Sequence, residues 1–549
     1  MIFNSWQFLF AFVPVVLTGT FLLARLGAAA AQFWLIAASL FFYGVWNVAY
    51  LPLLLGSIVF NYLIAIRMAR CVNPRPRTAL LCLAVAIDLG LLGYYKYTGF
   101  FLENLNGIAG TNYAWRSMIL PLGISFYTFQ QITLLADISA GQIKDFRFRD
   151  FLLFVTFFPH LIAGPIVHHR EMMPQFQKAD YRLEWENVTV GFVLLVIGLF
   201  KKSVLADTIA DYITPIFTDA ASGKPISLLF AWAAAIGFTL QMYFDFSGYS
   251  EMALGLARMV GIKLPMNFNS PLKAVSIVDY WSRWHITLTR FLTAYVYSPM
   301  AVTLARRRAA AGKSGVAGSR TTLGAFFGVI ALPTLVTMFI SGLWHGAGNQ
   351  FLIFGLLHGV ALVINHAWRL VRPLVWPNTV RYQRNFRPIG WLLTFLVAMV
   401  ALTWFHAASV AAGGNIVAGM MGLHGNTLPE SLAPSWPGLA SVLGHARFRF
   451  AGEGGNELPA LWAWDALLLT IALVPPNTLE IMRKWQPAIT MPAAVPAERP
   501  PAGRLDLWRG LSARLNFSLT PLWAFATAAL AAFGALSLNR MSEFLYWHF

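Results

Sequence analysis

The chain has 549 residues, 58% of them hydrophobic and 11% charged, with a mean hydropathy of +0.60. Soluble domains carry about a quarter charged residues, so the composition excludes an ordinary soluble enzyme and points to a polytopic membrane protein. The net charge of +17 lies between apolar stretches, as the positive-inside rule distributes it; a nucleic-acid surface needs a basic soluble face and is excluded.

One span needs roughly 20 apolar residues. In chain order, apolar stretches run approximately over 8–24, 32–50, 52–66, 79–102, 118–136, 151–167, 188–213, 227–261, 275–305, 322–343, 350–371, 389–412, 461–481 and 519–538. The first has no basic leader and no cleavage site, so it reads as a retained span. Pro121, Gly123, Pro159, Gly164 and Pro165 break two stretches. Broken helices at membrane depth are tolerated where protein buries them or a cavity runs past, so re-entrant segments are expected.

Arg25, and then Arg67, Arg70, Arg75 and Arg77, place the first basic turns in the cytoplasm and the N-terminus outside. The loop with Arg306, Arg307, Arg308, Lys313 and Arg320 reads as cytoplasmic. So does the loop with Arg483, Lys484, Arg499, Arg504, Arg509 and Arg514, which leaves the C-terminus outside. Residues 413–459 are Gly/Pro-rich and polar (Asn415, Asn426, Glu430, Glu453, Glu457) and read as an extracytoplasmic loop with short helices at most. Three regions follow: a membrane core over 1–412, the polar loop over 413–460, and C-terminal membrane helices over 461–549. Cys71 and Cys82 show no pairing pattern, so neither a disulfide framework nor a cysteine metal site is expected.

The residues that can carry chemistry are few. His345 stands in Ser-Gly-Leu-Trp-His-Gly-Ala-Gly, Ser341 to Gly348, at or near membrane depth. An ionisable group there is expensive, and imidazole exchanges a proton near neutral pH. Gly342, Gly346 and Gly348 let backbone or ligand approach, and Trp344 offers a flat wall. The alternative is a histidine bonded to a neighbouring helix. His285 closes Trp281-Ser-Arg-Trp-His. Asp279 and Arg283 are four apart and suited to pair, with Arg290 near the same stripe. On a continuous helix His285 would lie about 200° from Arg283. An interfacial aromatic helix with Tyr280, Trp281 and Trp284 is the alternative. Asp245, among aromatics, must be paired, protonated or wet, and a packing ion pair is the favoured reading. His358 would lie about 220° from His345 on one helix, nearly opposite. His168 and His169 read as a solvated loop pair. No metal-ligand spacing, phosphate loop or serine elbow occurs.

Several strings taken together resemble the membrane-bound O-acyltransferase family, in its bacterial alginate O-acetyltransferase-like branch. They are Leu120–Phe129, Phe157–Pro165, Tyr243–Ser250, Leu264–Pro271 (with Asn267), Tyr280–His285, Ser341–Gly346 and Leu356–Gly359. The resemblance spans roughly residues 1–425. It implies an all-α membrane bundle with broken helices around a central tunnel. It also implies that His345 and His285 are catalytic, on opposite sides of the reaction centre, with Asp245, Arg283, Trp344, Trp284, Asn267 and His358 as binding or support residues. The tail with Phe544, Tyr546 and Phe549 resembles one linked to an extracellular partner; an aromatic belt is the alternative. Phe405-His406-Ala407 stands where alginate-type relatives often have Phe-Arg-Ala, and residues 426–460 match nothing recognised.

The expectation is therefore a multi-pass inner-membrane O-acetyltransferase of an exopolysaccharide. Acetyl-CoA would be the donor, with no bound cofactor, and an extracytoplasmic acetyltransferase or polysaccharide-modifying protein the partner. His345 would be the general base and His285 would orient the thioester or stabilise the oxyanion. Arg283 and Lys273 would favour the CoA phosphates. A precursor transporter or flippase is the alternative, with His and Asp as a proton relay. One tension stands: His345 is about 37 Å along an ideal helix from Arg320, beyond the roughly 30 Å core. A kink or tilt at Pro333 is one way out.

Overall fold

The computed structural model describes residues 2–115, 118–143, 146–429, 448–451, 457–489 and 515–539. Most of it is helix, as apolar solvent demands, because a helix satisfies every backbone donor and acceptor within itself. Among the described residues, ten helices are long and apolar enough to cross a membrane, and Val410–Met420 and Pro521–Leu536 are shorter apolar ones. Proline stands in the first turn of Leu51–Arg70, Pro74–Leu92 and Pro521–Leu536, where its missing N–H costs nothing.

The helix Leu228–Met259 is the axis of the bundle and is buried along nearly its whole length from Ala231. Trp185–Phe200 packs against it through paired glycines. Gly191 lies on the Gly255 carbonyl and Gly198 on the Gly248 carbonyl, so a Cβ at these positions would meet backbone. Small residues at such crossings let helix backbones touch, the main source of association where lipid removes the hydrophobic drive.

The turns gather at two ends. At one, Arg70, Arg147, Arg149 and Gln177 line one cavity, Lys263 N donates to Gln175 Oε1 at 2.9 Å, and Ile489 N donates to Leu264 O at 3.0 Å. At the other, Tyr50 OH donates to Ile119 O at 2.6 Å, Leu228 N to Gly425 O at 3.1 Å, and Asn349 Nδ2 to Asn104 Oδ1 at 3.2 Å. The first end carries arginine-rich turns, the end that the positive-inside rule expects on the cytoplasmic side.

Three apolar stretches break. The helix expected from 118 starts at Ile124, after Gly123 in the left-handed region (φ 69°). Residues 151–167 form Phe148–Thr156 and Phe158–Leu161. Residues 275–305 divide into Ile277–Trp281 and Ile286–Leu292, the latter passing through a π-helical turn into Ser298–Ala310. Residues 413–459, read as a loop with short helices, begin inside one. Ser409 Oγ accepts from Ala412 N at 3.1 Å, capping a helix that runs to Met420. Asn426–Pro429 and Phe448–Ala451 then pair as two parallel strands. Glu430, Glu453, Arg499, Arg504, Arg509, Arg514 and the tail with Phe544, Tyr546 and Phe549 lie outside the described residues.

Candidate active site

His345 ends the helix Leu332–His345, and Asn349–Val375 returns beside it. The reversal is held by glycine. A Cβ on Gly342 would strike the Phe351 carbonyl and lie 3.1 Å from Gly355 Cα, and one on Gly355 would strike the Met338 carbonyl. This backbone contact brings the return helix onto the imidazole. The His345 ring lies 5.6 Å from Phe354 and 5.2 Å from Phe405, centroid to centroid. Phe354 in turn lies 4.9 Å from His358. The placement of His358 opposite His345 is thereby corrected, because the chain turns back at 346–348 rather than continuing as one helix. His358 Nδ1 accepts from Trp281 Nε1 at 3.2 Å; indole only donates, so the His358 proton is on Nε2.

His285 reaches the same place by another route. The helix ends at Trp281, so the wheel angle from Arg283 does not apply. His285 itself adopts φ 42°, ψ 53° before Ile286–Leu292, a conformation that a non-glycine residue holds only where its surroundings over-determine it. The surroundings are the segment around Asn267. Asn269 N donates to Arg283 O and Ile286 N to Asn267 O, both at 2.9 Å. Asn267 Oδ1 lies 3.0 Å from His285 Nδ1, 2.9 Å from Thr287 Oγ1 and 3.3 Å from Thr287 N. Thr287 Oγ1 accepts from Ile166 N at 3.0 Å, and Asn267 Nδ2 donates to Ser250 Oγ at 3.3 Å. The backbone N–H of Thr287 fixes the amide oxygen's position. His285 therefore donates from Nδ1, and its neutral form carries the lone pair on Nε2.

The two imidazoles are buried, with centroids 6.3 Å apart. Trp344 lies 4.9 Å from the first and 6.1 Å from the second and stacks on Phe129 at 5.6 Å. Its Nε1–H is buried and has no acceptor among the described residues. The helix end that carries Trp344 and His345 is capped. Tyr97 OH donates to Leu343 O at 2.8 Å and Lys96 Nζ to Trp344 O at 2.5 Å, a cation on terminal carbonyls that complements the helix dipole.

Other candidates lie apart from this centre. Asp245 is in an ion pair, as favoured, but with Lys202 at 2.7 Å, which also holds Asp207 at 2.6 Å; it does not position Arg283. Arg283 pairs with Asp279 at 2.6 Å, as the spacing predicts, and Lys273 Nζ donates to Pro475 O at 2.7 Å. Trp284 packs between Tyr280 and Phe268. The solvated reading of His168 and His169 is corrected. His169 is buried 3.5 Å from Asp137, and His168 stacks on Tyr295. Burial, then the Arg290 cation, holds His168 below the ordinary imidazole range.

A cavity of about 860 Å³ opens at the basic end. Its wall includes Arg170, Arg290 and Tyr295, and also Trp281 and Ile286, the latter next to His285. Arg290 pairs there with Glu171 at 2.5 Å. A second cavity of about 560 Å³ opens at the other end, walled by Glu103, Asn104, Asn349, Gln350 and Ser409, with Ala347 two residues past His345. His345 stands at the far end of its helix from Arg320, and the segment bearing His285 supplies the reach towards the basic end. Lys96, Tyr97, Thr287 and Phe405 were missed in the sequence. A signal existed for Lys96, a lone cation in an apolar stretch, by the same argument that singles out His345.

The sequence model of the membrane-bound O-acyltransferase family matches residues 77–313. The chain is 40% identical over 461 residues to a peptidoglycan O-acetyltransferase of Helicobacter pylori, covering 78% of this chain and 81% of that one. It is 34% identical over 438 residues to a probable alginate O-acetylase of Azotobacter vinelandii, covering 78% and 80%. It is 27% identical over 301 residues to a teichoic acid D-alanyltransferase of Streptococcus thermophilus, covering 53% and 69%.

Proposed function

The chain belongs to the membrane-bound O-acyltransferase family, and from that premise we propose that it moves an acetyl group from cytosolic acetyl-CoA across the inner membrane onto a cell-envelope polysaccharide. Relatives named for alginate and peptidoglycan O-acetylation support an acetyl group and a saccharide acceptor. One observation carries the reading. Two buried imidazoles lie 6.3 Å apart, and their chain neighbours Ile286 and Ala347 line separate cavities.

In this reading the thioester enters from the basic end beside His285 and Ile286. The acceptor hydroxyl enters from the other end beside Ala347. His345 takes the hydroxyl proton as the oxygen attacks the thioester carbonyl carbon. The C–S bond then breaks, and the CoA thiolate leaves with the proton that His345 returns. Of the two roles expected for His285, this reading favours orienting the thioester. Its one N–H is committed to Asn267, so neutral His285 offers the cleft a lone pair, not an oxyanion donor. The donor assigned to the oxyanion is Trp344 Nε1–H, buried beside both rings. Arg283 and Lys273 do not line this cavity, whereas Arg170 and Arg290 do, and although these pair with Asp137 and Glu171 they are the cations placed to meet the CoA phosphates. The polar outer cavity suits a saccharide, delivered directly or through an extracytoplasmic transferase.

His345→Ala should leave polymer export intact and remove its acetyl groups. Normal acetylation with failed export would favour a transporter instead.

A further inference from the structure

The cavity of about 750 Å³ at the basic end lies apart from the histidine pair and has no part in the chemistry above. Three elements build it: Ile66, Ala69 and Arg70 at the end of Leu51–Arg70, Phe146 with Arg147 and Arg149 before and within Phe148–Thr156, and Gln177 of His169–Lys178. Its charge is one-sided. Arg149 Nε lies 3.6 Å from Asp150, a fully buried carboxylate that Gln177 also holds at 3.0 Å. Arg70 and Arg147 have no carboxylate within ion-pair distance among the described residues.

Depth identifies what would meet these guanidiniums. Leu51–Arg70 has 20 residues, about 30 Å at 1.5 Å each, the thickness of the hydrocarbon core. Arg70 is its last residue, so it stands at headgroup level on the cytoplasmic side. Leu63, two turns back at the depth of the acyl chains, is 57% exposed, and Phe148 is exposed as well. The cavity therefore brings three guanidiniums, Arg70 and Arg147 exposed and Arg149 half-buried, together with apolar Ile66, Ala69 and Phe146 at the depth of phosphates. Guanidinium is the group best matched to a phosphodiester, through paired N–H donors. The other basic turn, Arg306–Arg308, is an exposed helix end that lines none of the cavities described here.

We propose that Arg70, Arg147 and Arg149 form a binding site for the phosphodiester headgroup of an anionic phospholipid of the cytoplasmic leaflet. Basic recesses between spans on this side recognise such headgroups, and each Lys or Arg near an anionic membrane surface contributes about 1 kcal/mol.

The test uses the full chain purified in neutral detergent, with retained lipid counted by native mass spectrometry. The arms are cardiolipin, phosphatidylcholine, inorganic phosphate and CoA. Cardiolipin should be retained, phosphatidylcholine and phosphate should not, and CoA should not compete. The pair Arg70→Ala with Arg147→Ala should weaken cardiolipin retention roughly 30-fold. The pair Arg306→Ala with Arg307→Ala, which removes the same charge, should leave it unchanged. Equal loss in both pairs would mean diffuse charge attraction and overturn the site. So would competition by CoA or equal retention of phosphatidylcholine. An unchanged melting temperature in neutral detergent separates lost binding from lost folding.

Discussion

Asn267→Ala isolates the device that fixes His285. The amide oxygen receives the imidazole N–H, the Thr287 hydroxyl and the Thr287 backbone N–H. The hydroxyl can rotate to another acceptor, whereas the two N–H groups cannot. Each buried donor stripped of its acceptor costs ~1–3 kcal/mol, so the substitution removes ~2–6 kcal/mol in total. The Thr287 share falls on folding. The His285 share falls on the reaction, because the ring loses both its tautomer and its orientation, and ~1–3 kcal/mol corresponds to about 5- to 150-fold in kcat. Acetyl transfer per folded molecule, measured alongside the melting temperature, separates the two shares. Thr287→Val spares the imidazole contact and should lower the melting temperature with a smaller loss of kcat. Wild-type turnover per folded molecule in Asn267→Ala would refute the reasoning, since His285 would then need no acceptor at Nδ1.

Trp344→Phe keeps a ring against Phe129 but removes the indole N–H together with part of a buried ring system. It should lower kcat by about 10²- to 10³-fold, as loss of an oxyanion donor does, with a drop in melting temperature from the cavity left behind, so turnover is read per folded molecule. Gly342→Ala puts a methyl on the Phe351 carbonyl and should cost ~1–3 kcal/mol by overpacking, together with activity, because His345 is three residues on; thermal melting and turnover should fall together. Lys96→Met strips the cation from the Trp344 carbonyl. It should cost ~0.3–2 kcal/mol of helix-end stability and lower turnover, both absent if Lys96 only packs.

The fold class was legible because hydropathy and span length are properties of short stretches. The Asp279–Arg283 pair was legible for the same reason. What failed depended on where helices stop. His285 was placed on a helical wheel that ends at Trp281, and His358 on one that reverses at Gly346–Gly348. In both cases glycine or a left-handed residue breaks the period and brings distant positions together. Asn267 entered only within a resembling string, since its role depends on a backbone pairing to residues 283–286 that no periodicity encodes. The helix of residues 410–420 was hidden by its glycines, which there serve close packing. Asp245 illustrates the opposite limit: its need for a partner was readable, but Lys202, 43 positions away, was not.

The most direct measurement follows label from radiolabelled acetyl-CoA in inside-out vesicles of wild type and His345→Ala, with polymer and candidate partner present. Label reaching polymer or partner with wild type alone is the predicted result. Equal label with both proteins would remove His345 from the chemistry. No label with either, while D-alanyl or longer acyl donors work, would contradict acetyl-CoA as the donor.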